Sequence, residues 1–107
     1  MIDKFRELLA GGPQLGLDIM YPAPGIIERI GPDWDWVWID GQHGELDERD
    51  VLEAVRACNL IGRPAVVRVP GHDMGVIGKA LDTAAEGIMV PLINDANQAR
   101  AAVEAAK

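Results

Sequence analysis

The chain has little of several features that would mark a particular class of protein. It has one cysteine, Cys58, which excludes an intrachain disulfide and a cluster of thiolate metal ligands. The apolar helical spacing around Cys58 favours a packed core thiol over a nucleophile. No apolar run approaches the length of a membrane span, and the segment MIDKFRELL lacks a signal-peptide core. We therefore expect a cytoplasmic protein that has no membrane partner.

Basic residues are also scarce. The chain has 10 Lys and Arg against 17 Asp and Glu, which gives a net charge of −7. This balance argues against nucleic acid as a partner. It leaves open a small anionic substrate, because a single arginine at a binding site can attract an anion locally despite the negative net charge of the chain. A length of 107 residues, of which 49% are hydrophobic and 25% charged, suits one soluble globular domain over residues 1–107.

No glycine-rich phosphate-binding fingerprint follows any predicted strand, which disfavours a nucleotide-binding fold. Instead, short apolar runs alternate with amphipathic segments after an N-terminal helix at residues 2–10. Strands are predicted at residues 15–20, 36–40, 65–69 and 88–90. Helices are predicted to start at Pro24 and after the capping residues Asp47, Asp73 and Asp95. The helix after Asp73 is predicted to carry Ile77, Ala80, Leu81 and Ala84. Asp95, with Gln98 three residues on, resembles a capping box for the last helix, which is predicted to reach Lys107.

This alternation predicts parallel strands joined by right-handed crossovers, an α/β fold. Two architectures remain open: a small open sheet, or the parallel (βα)4 half of a TIM (β/α)8 barrel with an N-terminal helix. A complete barrel takes about 250 residues, so four βα units amount to half of one. The first and fourth strands would then be open edges, and we expect self-association or pairing with a second half-barrel.

The most informative segment is WVWIDGQHG, at residues 36–44. Its four apolar residues suit a strand that is covered on both faces, and polar residues follow at once. α/β proteins build their active sites at the carboxyl ends of such strands. Asp40, Gln42 and His43 are therefore candidate site residues. The alternative is that Asp40 and His43 only satisfy backbone groups of the loop.

Arg68 interrupts the apolar run AVVRV, and a guanidinium in a buried strand needs an anion as partner. One interpretation is a structural ion pair with Asp40 or another acid at a strand end. The other is a forked donor that binds a carboxylate or keto-acid oxygen. His43 can act as an acid or base near neutral pH, and Asp82 is a candidate for orienting it. The alternative is that Asp82 is a solvent-facing helix residue with no functional role.

Trp34, Trp36 and Trp38 alternate with other residues, which predicts that they share one face of a strand. Packing against helices or a partner subunit explains such a face better than stacking on a substrate does.

With these residues in view, the chain resembles the HpcH/HpaI aldolase family, the class II (metal-dependent) pyruvate aldolases. The resemblance is carried by DWVWIDGQHG, PAVVRVPGHD and IGKALDTAAEGIMVPLINDANQARAAVEAAK, which occur in the family's order and at about its spacing. It covers nearly the whole chain. The family fold is a (β/α)8 barrel, so the resemblance implies its N-terminal half.

The resemblance also implies a role for each candidate residue. His43 would be the catalytic acid or base, and Asp82 the acid paired with it. Arg68 would bind the pyruvate-derived oxygens and stabilise the enolate, with Gln42 also in substrate binding. Asp40 would lie near a metal-bound water. The implied reaction is reversible cleavage of a 4-hydroxy-2-oxo acid to pyruvate and an aldehyde, with Mg²⁺, Mn²⁺ or Co²⁺ as Lewis acid.

Three features depart from the family pattern. Gln42 stands where glutamate is common, and Ala84 stands where glycine is common in the stretch LDxGA. The family's metal ligands, a glutamate and an aspartate, belong to strands of the second half of the barrel, and this chain does not contain them. We therefore expect the isolated chain to be inactive. A citrate lyase or malyl-CoA lyase-like enzyme and a non-enzymatic half-barrel assembly module remain as alternatives.

Overall fold

Four βα units follow an N-terminal helix in the computed structural model, which describes residues 2–107 and side chains from residue 5 onward. The elements are α1 (Ile2–Ala10), β1 (Gly16–Ile19), α2 (Pro24–Ile30), β2 (Trp36–Asp40), α3 (Glu48–Ile61), β3 (Ala65–Arg68), α4 (Met74–Leu81), β4 (Gly87–Met89) and α5 (Ala96–Ala105). A short 3-10 turn at Gly31–Asp33 lies between α2 and β2. None of the helices within these residues is long and apolar enough to cross a membrane.

The four strands form one parallel sheet in chain order, β1-β2-β3-β4. The register places Asp18 beside Trp38, and Asp40 beside Arg68. The predicted α/β fold of parallel βα units is therefore confirmed. Within residues 2–107, β1 and β4 each have one hydrogen-bonded neighbour, so both are edges of this sheet.

The sheet has two different faces because successive side chains along a strand point to opposite sides. On one face Val37 and Ile39 are fully buried and pack with Ile27, Val55 and Ile77 of the helices. Cys58 belongs to the same core as a free, buried thiol, as predicted, and burial raises its pKa to about 12.

The other face, here called the tryptophan face, carries residues that share a register with one another. It consists of Gly16, Asp18, Trp36, Trp38, Asp40, Val66, Arg68, Gly87 and Met89. The rings of Trp36 and Trp38 stack with centroids 6.1 Å apart, and Phe5 of α1 meets Trp36 edge-on at 6.2 Å. Trp34 lies before β2, which starts at Trp36, so the prediction that all three tryptophans share one strand face holds only for Trp36 and Trp38.

Side-chain caps fix where the helices begin. Asp47 and Asp50 form a reciprocal capping box, in which each carboxylate accepts a hydrogen bond from the other's backbone N–H. Asp95 accepts a hydrogen bond from the N–H of Gln98, but the Gln98 side chain accepts one from the N–H of Asn94. The capping box predicted for α5 is thus only half formed. This helix ends at Ala105, before the predicted end.

The turn after α4 differs from the sequence prediction. The predicted helix included Ala84, but α4 ends at Leu81, and Asp82 is its capping residue. The hydroxyl of Thr83 donates to the carbonyl of Ala80 at 2.6 Å, which ends the helix in a tight turn. Ala84 then adopts a left-handed backbone with a φ of 67°. An L-residue with a Cβ pays about 1–2 kcal/mol for this conformation, whereas glycine does not.

We expect Ala84→Gly to raise the free energy of unfolding by about 0.5–1 kcal/mol, because removing the strain outweighs the entropy that glycine adds to the unfolded chain. Equilibrium urea unfolding at constant m-value measures the change. Ala99→Gly is the matched control. It lies in the exposed interior of α5, where the same substitution lowers stability by about 1 kcal/mol. Equal losses in both variants would contradict the expectation.

Candidate active site

An ion pair joins the carboxyl ends of two neighbouring strands. Arg68, the last residue of β3, donates from Nε to Oδ1 of Asp40 at 3.1 Å and from Nη2 to Oδ2 at 2.6 Å. Asp40 is the last residue of β2 and the register partner of Arg68, so the strands themselves bring the two side chains together. This forked geometry is the strongest form of arginine–carboxylate contact. Of the two interpretations of Arg68, the ion pair with Asp40 is present in the structure.

Asp40 also holds the loop that follows β2. Its Oδ1 accepts hydrogen bonds from the backbone N–H groups of Gln42 and His43, each at 3.0 Å. The carboxylate is buried, with 3% of its side chain exposed. The hydrogen bonds from Arg68 lower the pKa of Asp40 to about 2, with the loop N–H groups adding to the effect and burial opposing it. Asp40 therefore satisfies backbone groups, as the alternative interpretation predicted, and stays ionised at neutral pH.

Two glycines make this loop sterically possible. The N–H of Gly41 donates to the carbonyl of Arg68 at 2.8 Å, and a Cβ at Gly41 would lie 2.8 Å from the same oxygen. A Cβ at Gly44 would overlap the carbonyl oxygen of Asp40 and lie 2.9 Å from that of Met20. The two glycines on either side of Gln42 and His43 were a signal that the sequence reasoning did not use.

Arg68 keeps donors for another group. Its guanidinium lies 5.4 Å above the ring of Trp38, a cation–π contact, and 23% of its side chain is exposed. Asp40 takes up Nε and Nη2, while Nη1 has no hydrogen-bond partner among the side chains and backbone of the described residues. The ion pair and the indole thus hold the guanidinium in place with one edge available for a ligand.

The remaining predicted residues lie further apart. His43 is exposed and Gln42 is partly buried on the loop after β2. Asp82 is exposed at the C-terminal end of α4, which runs back toward the amino ends of the strands. Within one copy of the described chain, no hydrogen bond joins Asp82 to His43. Asp82 and Arg68 do line the same groove of about 470 Å³ between α3 and α4. The pairing of His43 with Asp82 stays a prediction.

Sequence reasoning missed Asp18. This acid lies in β1 on the tryptophan face, beside Trp38, and its side chain is exposed. Partial burial and the charge of Asp40 raise its pKa, while the charge of Arg68 lowers it. Asp18 interrupts the apolar run of GLDIM, which is the same anomaly that drew attention to Arg68. The same rule would have found it.

The described residues do not by themselves fit a divalent cation. No group of three or more His, Cys, Asp or Glu among them could hold a metal ion. Asp40, which the family resemblance places near a metal-bound water, has both carboxylate oxygens engaged by Arg68 and the loop. A complete set of metal ligands would have to include groups outside these residues.

Residues 25–107 match the model of the HpcH/HpaI aldolase/citrate lyase family. The 4-hydroxy-2-oxovalerate aldolase of Novosphingobium aromaticivorans is 38% identical over 109 residues, which cover 99% of this chain and 42% of that protein. The 4-hydroxy-2-oxo-heptane-1,7-dioate aldolase of Shigella flexneri is 34% identical over 109 residues, which cover 100% of this chain and 41% of that protein.

A solved structure of a HpcH/HpaI aldolase/citrate lyase family protein from Burkholderia cenocepacia J2315 superposes with a TM-score of 0.84 at 30% identity. The match covers 98% of this chain and 42% of that one. The chain thus spans about two fifths of the length of the relatives that it matches. The resemblance drawn from the three sequence segments is confirmed: the chain belongs to the HpcH/HpaI aldolase/citrate lyase family.

Proposed function

We propose that this chain takes part in the reversible aldol cleavage of a 4-hydroxy-2-oxo acid to pyruvate and an aldehyde. Membership of the family and the aldolase names of its curated relatives support the reaction class. The observation that carries the proposal is Arg68. It is a charged, oriented donor at the carboxyl end of a parallel strand, next to the loop that bears His43.

In this proposal Arg68 binds the oxygens of the 2-oxo acid. Cleavage between C3 and C4 leaves an enolate, whose negative charge develops on the keto oxygen. A guanidinium that is already fixed by Asp40 and Trp38 meets this charge without reorganising, which is how preorganised donors lower a barrier. Gln42, on the loop beside it, is proposed to contact the substrate.

His43 is proposed to remove the proton of the 4-hydroxyl during cleavage and to return it during condensation. The enolate left by cleavage takes up a proton at C3, which gives pyruvate. The two backbone bonds that Asp40 accepts hold the loop of His43 at the end of β2. A histidine on this loop is therefore anchored through its backbone while its ring stays exposed and free to meet a substrate. The contribution of Asp82, implied by the family resemblance, remains a prediction.

A divalent cation would supply Lewis-acid stabilisation of the enolate in this chemistry. Because the described residues hold no such cluster, its ligands are proposed to lie on the remainder of the barrel. That remainder would also pair with the edges of β1 and β4, either within a longer chain or in a cytoplasmic oligomer. The proposal therefore concerns the full-length protein as it is expressed.

Replacing Arg68 by lysine tests the binding role, because lysine keeps the charge and loses the planar fork. We expect kcat/KM for a 4-hydroxy-2-oxo acid to fall by about 100-fold or more, measured as pyruvate release with added Mg²⁺, Mn²⁺ or Co²⁺. Arg63→Lys is the control, since Arg63 bonds to the carbonyls of Trp34 and Pro32 at the opposite end of the sheet. Equal activity of the two folded variants would contradict the role.

The proton-transfer role is tested by comparing the two histidines of the chain. His43→Asn removes the acid or base, so kcat should fall by about 100- to 10,000-fold, with KM for the 2-oxo acid changing little. His72 is an exposed residue of the loop before α4, and His72→Asn should leave kcat within about twofold of the unaltered protein. A His43→Asn enzyme with full kcat would show that another group moves the proton.

A further inference from the structure

A continuous row of aromatic contacts leads from α1 to Arg68. Phe5 of α1 meets the ring of Trp36 edge-on, with centroids 6.2 Å apart. The ring of Trp36 stacks on that of Trp38 at 6.1 Å, with an angle of 26° between the ring planes. The guanidinium of Arg68 in turn lies 5.4 Å above the Trp38 ring. Each indole therefore contacts two partners, and the three rings of Phe5, Trp36 and Trp38 are here called the aromatic row.

The aromatic row restricts the guanidinium in a direction that its ion pair leaves open. The two hydrogen bonds to Asp40 fix Nε and Nη2 within the plane of the guanidinium. They do not stop the group from tilting about the line that joins the two acceptor oxygens. The ring of Trp38 blocks this tilt on one side, and a cation above an indole is attracted to its face. The direction of Nη1, which neither bond to Asp40 uses, therefore depends on the position of Trp38.

Gly16 supplies the space that the aromatic row occupies. It is the register partner of Trp36 across β1 and β2. A Cβ at Gly16 would overlap the indole of Trp36 and lie 2.6 Å from its Cζ2, although the backbone of Gly16 is one that alanine can adopt. Because Trp36 also packs on Trp38 and Phe5, its indole cannot yield to a new side chain without disturbing them. Close packing of this kind passes a local displacement on to the next side chain.

We propose that the aromatic row sets the orientation of Arg68, which makes Trp38, Trp36 and Gly16 positioning residues of the site. Gly16 pairs with Trp36, and Arg68 pairs with Asp40 at the other end of β2. By the usual spacing of parallel strands, Gly16 lies about 16 Å from Arg68. The inference rests on the binding role proposed for Arg68. It adds that this donor is oriented from the opposite end of the sheet, through a chain of packed side chains that begins at α1.

Gly16→Ala tests the row in the full-length protein, by cleavage of a 4-hydroxy-2-oxo acid at a fixed concentration of one metal ion. KM for this acid should rise by about tenfold, because a small misplacement of a binding group is costly. A purely structural role would lower the amount of folded enzyme, and hence kcat, and would leave KM unchanged. Gly31→Ala is the matched control, since a Cβ there would lie 2.5 Å from the side chain of Ile61, away from the row. Its KM should stay within about twofold of the unaltered value.

A second substitution should rescue the first. Trp36→Phe leaves room for a Cβ at residue 16 and keeps a ring against Trp38, so the double variant should return to within about threefold of the unaltered KM. The row is also tested without any change at Gly16. Trp38→Leu removes the ring under Arg68 and should raise KM by about tenfold, whereas Trp38→Phe keeps a ring and should raise it by about threefold or less.

The outcomes separate this inference from the function on which it rests. An unchanged KM in folded Gly16→Ala, an equal rise in Gly31→Ala, or the same KM in Trp38→Leu and Trp38→Phe would overturn the role of the aromatic row. The aldolase proposal stands in that case if Arg68→Lys still lowers kcat/KM. Should Gly16→Ala fail to fold, the comparison of the two Trp38 variants decides. Absence of turnover by the unaltered protein would overturn the aldolase proposal and the role of the row together.

Discussion

The ion pair between Asp40 and Arg68 is the interaction on which the candidate site depends. One carboxylate receives a forked contact from the neighbouring strand and two N–H groups from its own loop. It thereby fixes the guanidinium and the loop of His43 relative to each other. Losing one partner of such a pair leaves an uncompensated buried charge, which is strongly destabilising. Fold stability and site geometry are therefore coupled at Asp40, and stability has to be measured beside activity in any variant of this pair.

Much of the fold was predictable because its signals are local. Apolar periodicity, Pro24 at a helix start and the capping acids place each βα unit, and alternation then implies a parallel sheet. The errors lie where turn geometry overrides periodicity. Ala84 continues the apolar helical pattern, but the chain turns after Leu81 and needs a left-handed residue there. Apolar spacing carries no information about the sign of φ, so periodicity could not predict this turn.

The candidate site was partly predictable for the same reason. Arg68 stands out as a charge in an apolar strand, and its pairing with Asp40 follows from two adjacent strand ends. Asp18 obeys the same rule, but it matters only once the register places it beside Trp38. The relation of His43 to Asp82 depends on the direction and length of α4, which spacing alone does not reveal. The proximity of residues at adjacent strand ends can be predicted from the sequence. The proximity of residues separated by a helix can be judged only from the three-dimensional structure.

The charge of the tryptophan face limits what these strands can do alone. Asp40 already neutralises Arg68, and with Asp18 ionised the three side chains carry a net charge of −1. In the proposed reaction, the face would therefore offer a 2-oxo acid well-directed hydrogen bonds without a net electrostatic attraction. Arg68 can still select and orient the anion, because at hydrogen-bonding distance the geometry of a forked donor matters more than the average electrostatic potential of the face. For the proposed reaction, the positive charge that balances the bound acid and its enolate would have to come from residues or ions beyond these four strands. This fits a site whose orienting groups and whose charge-neutralising groups lie on different parts of a barrel.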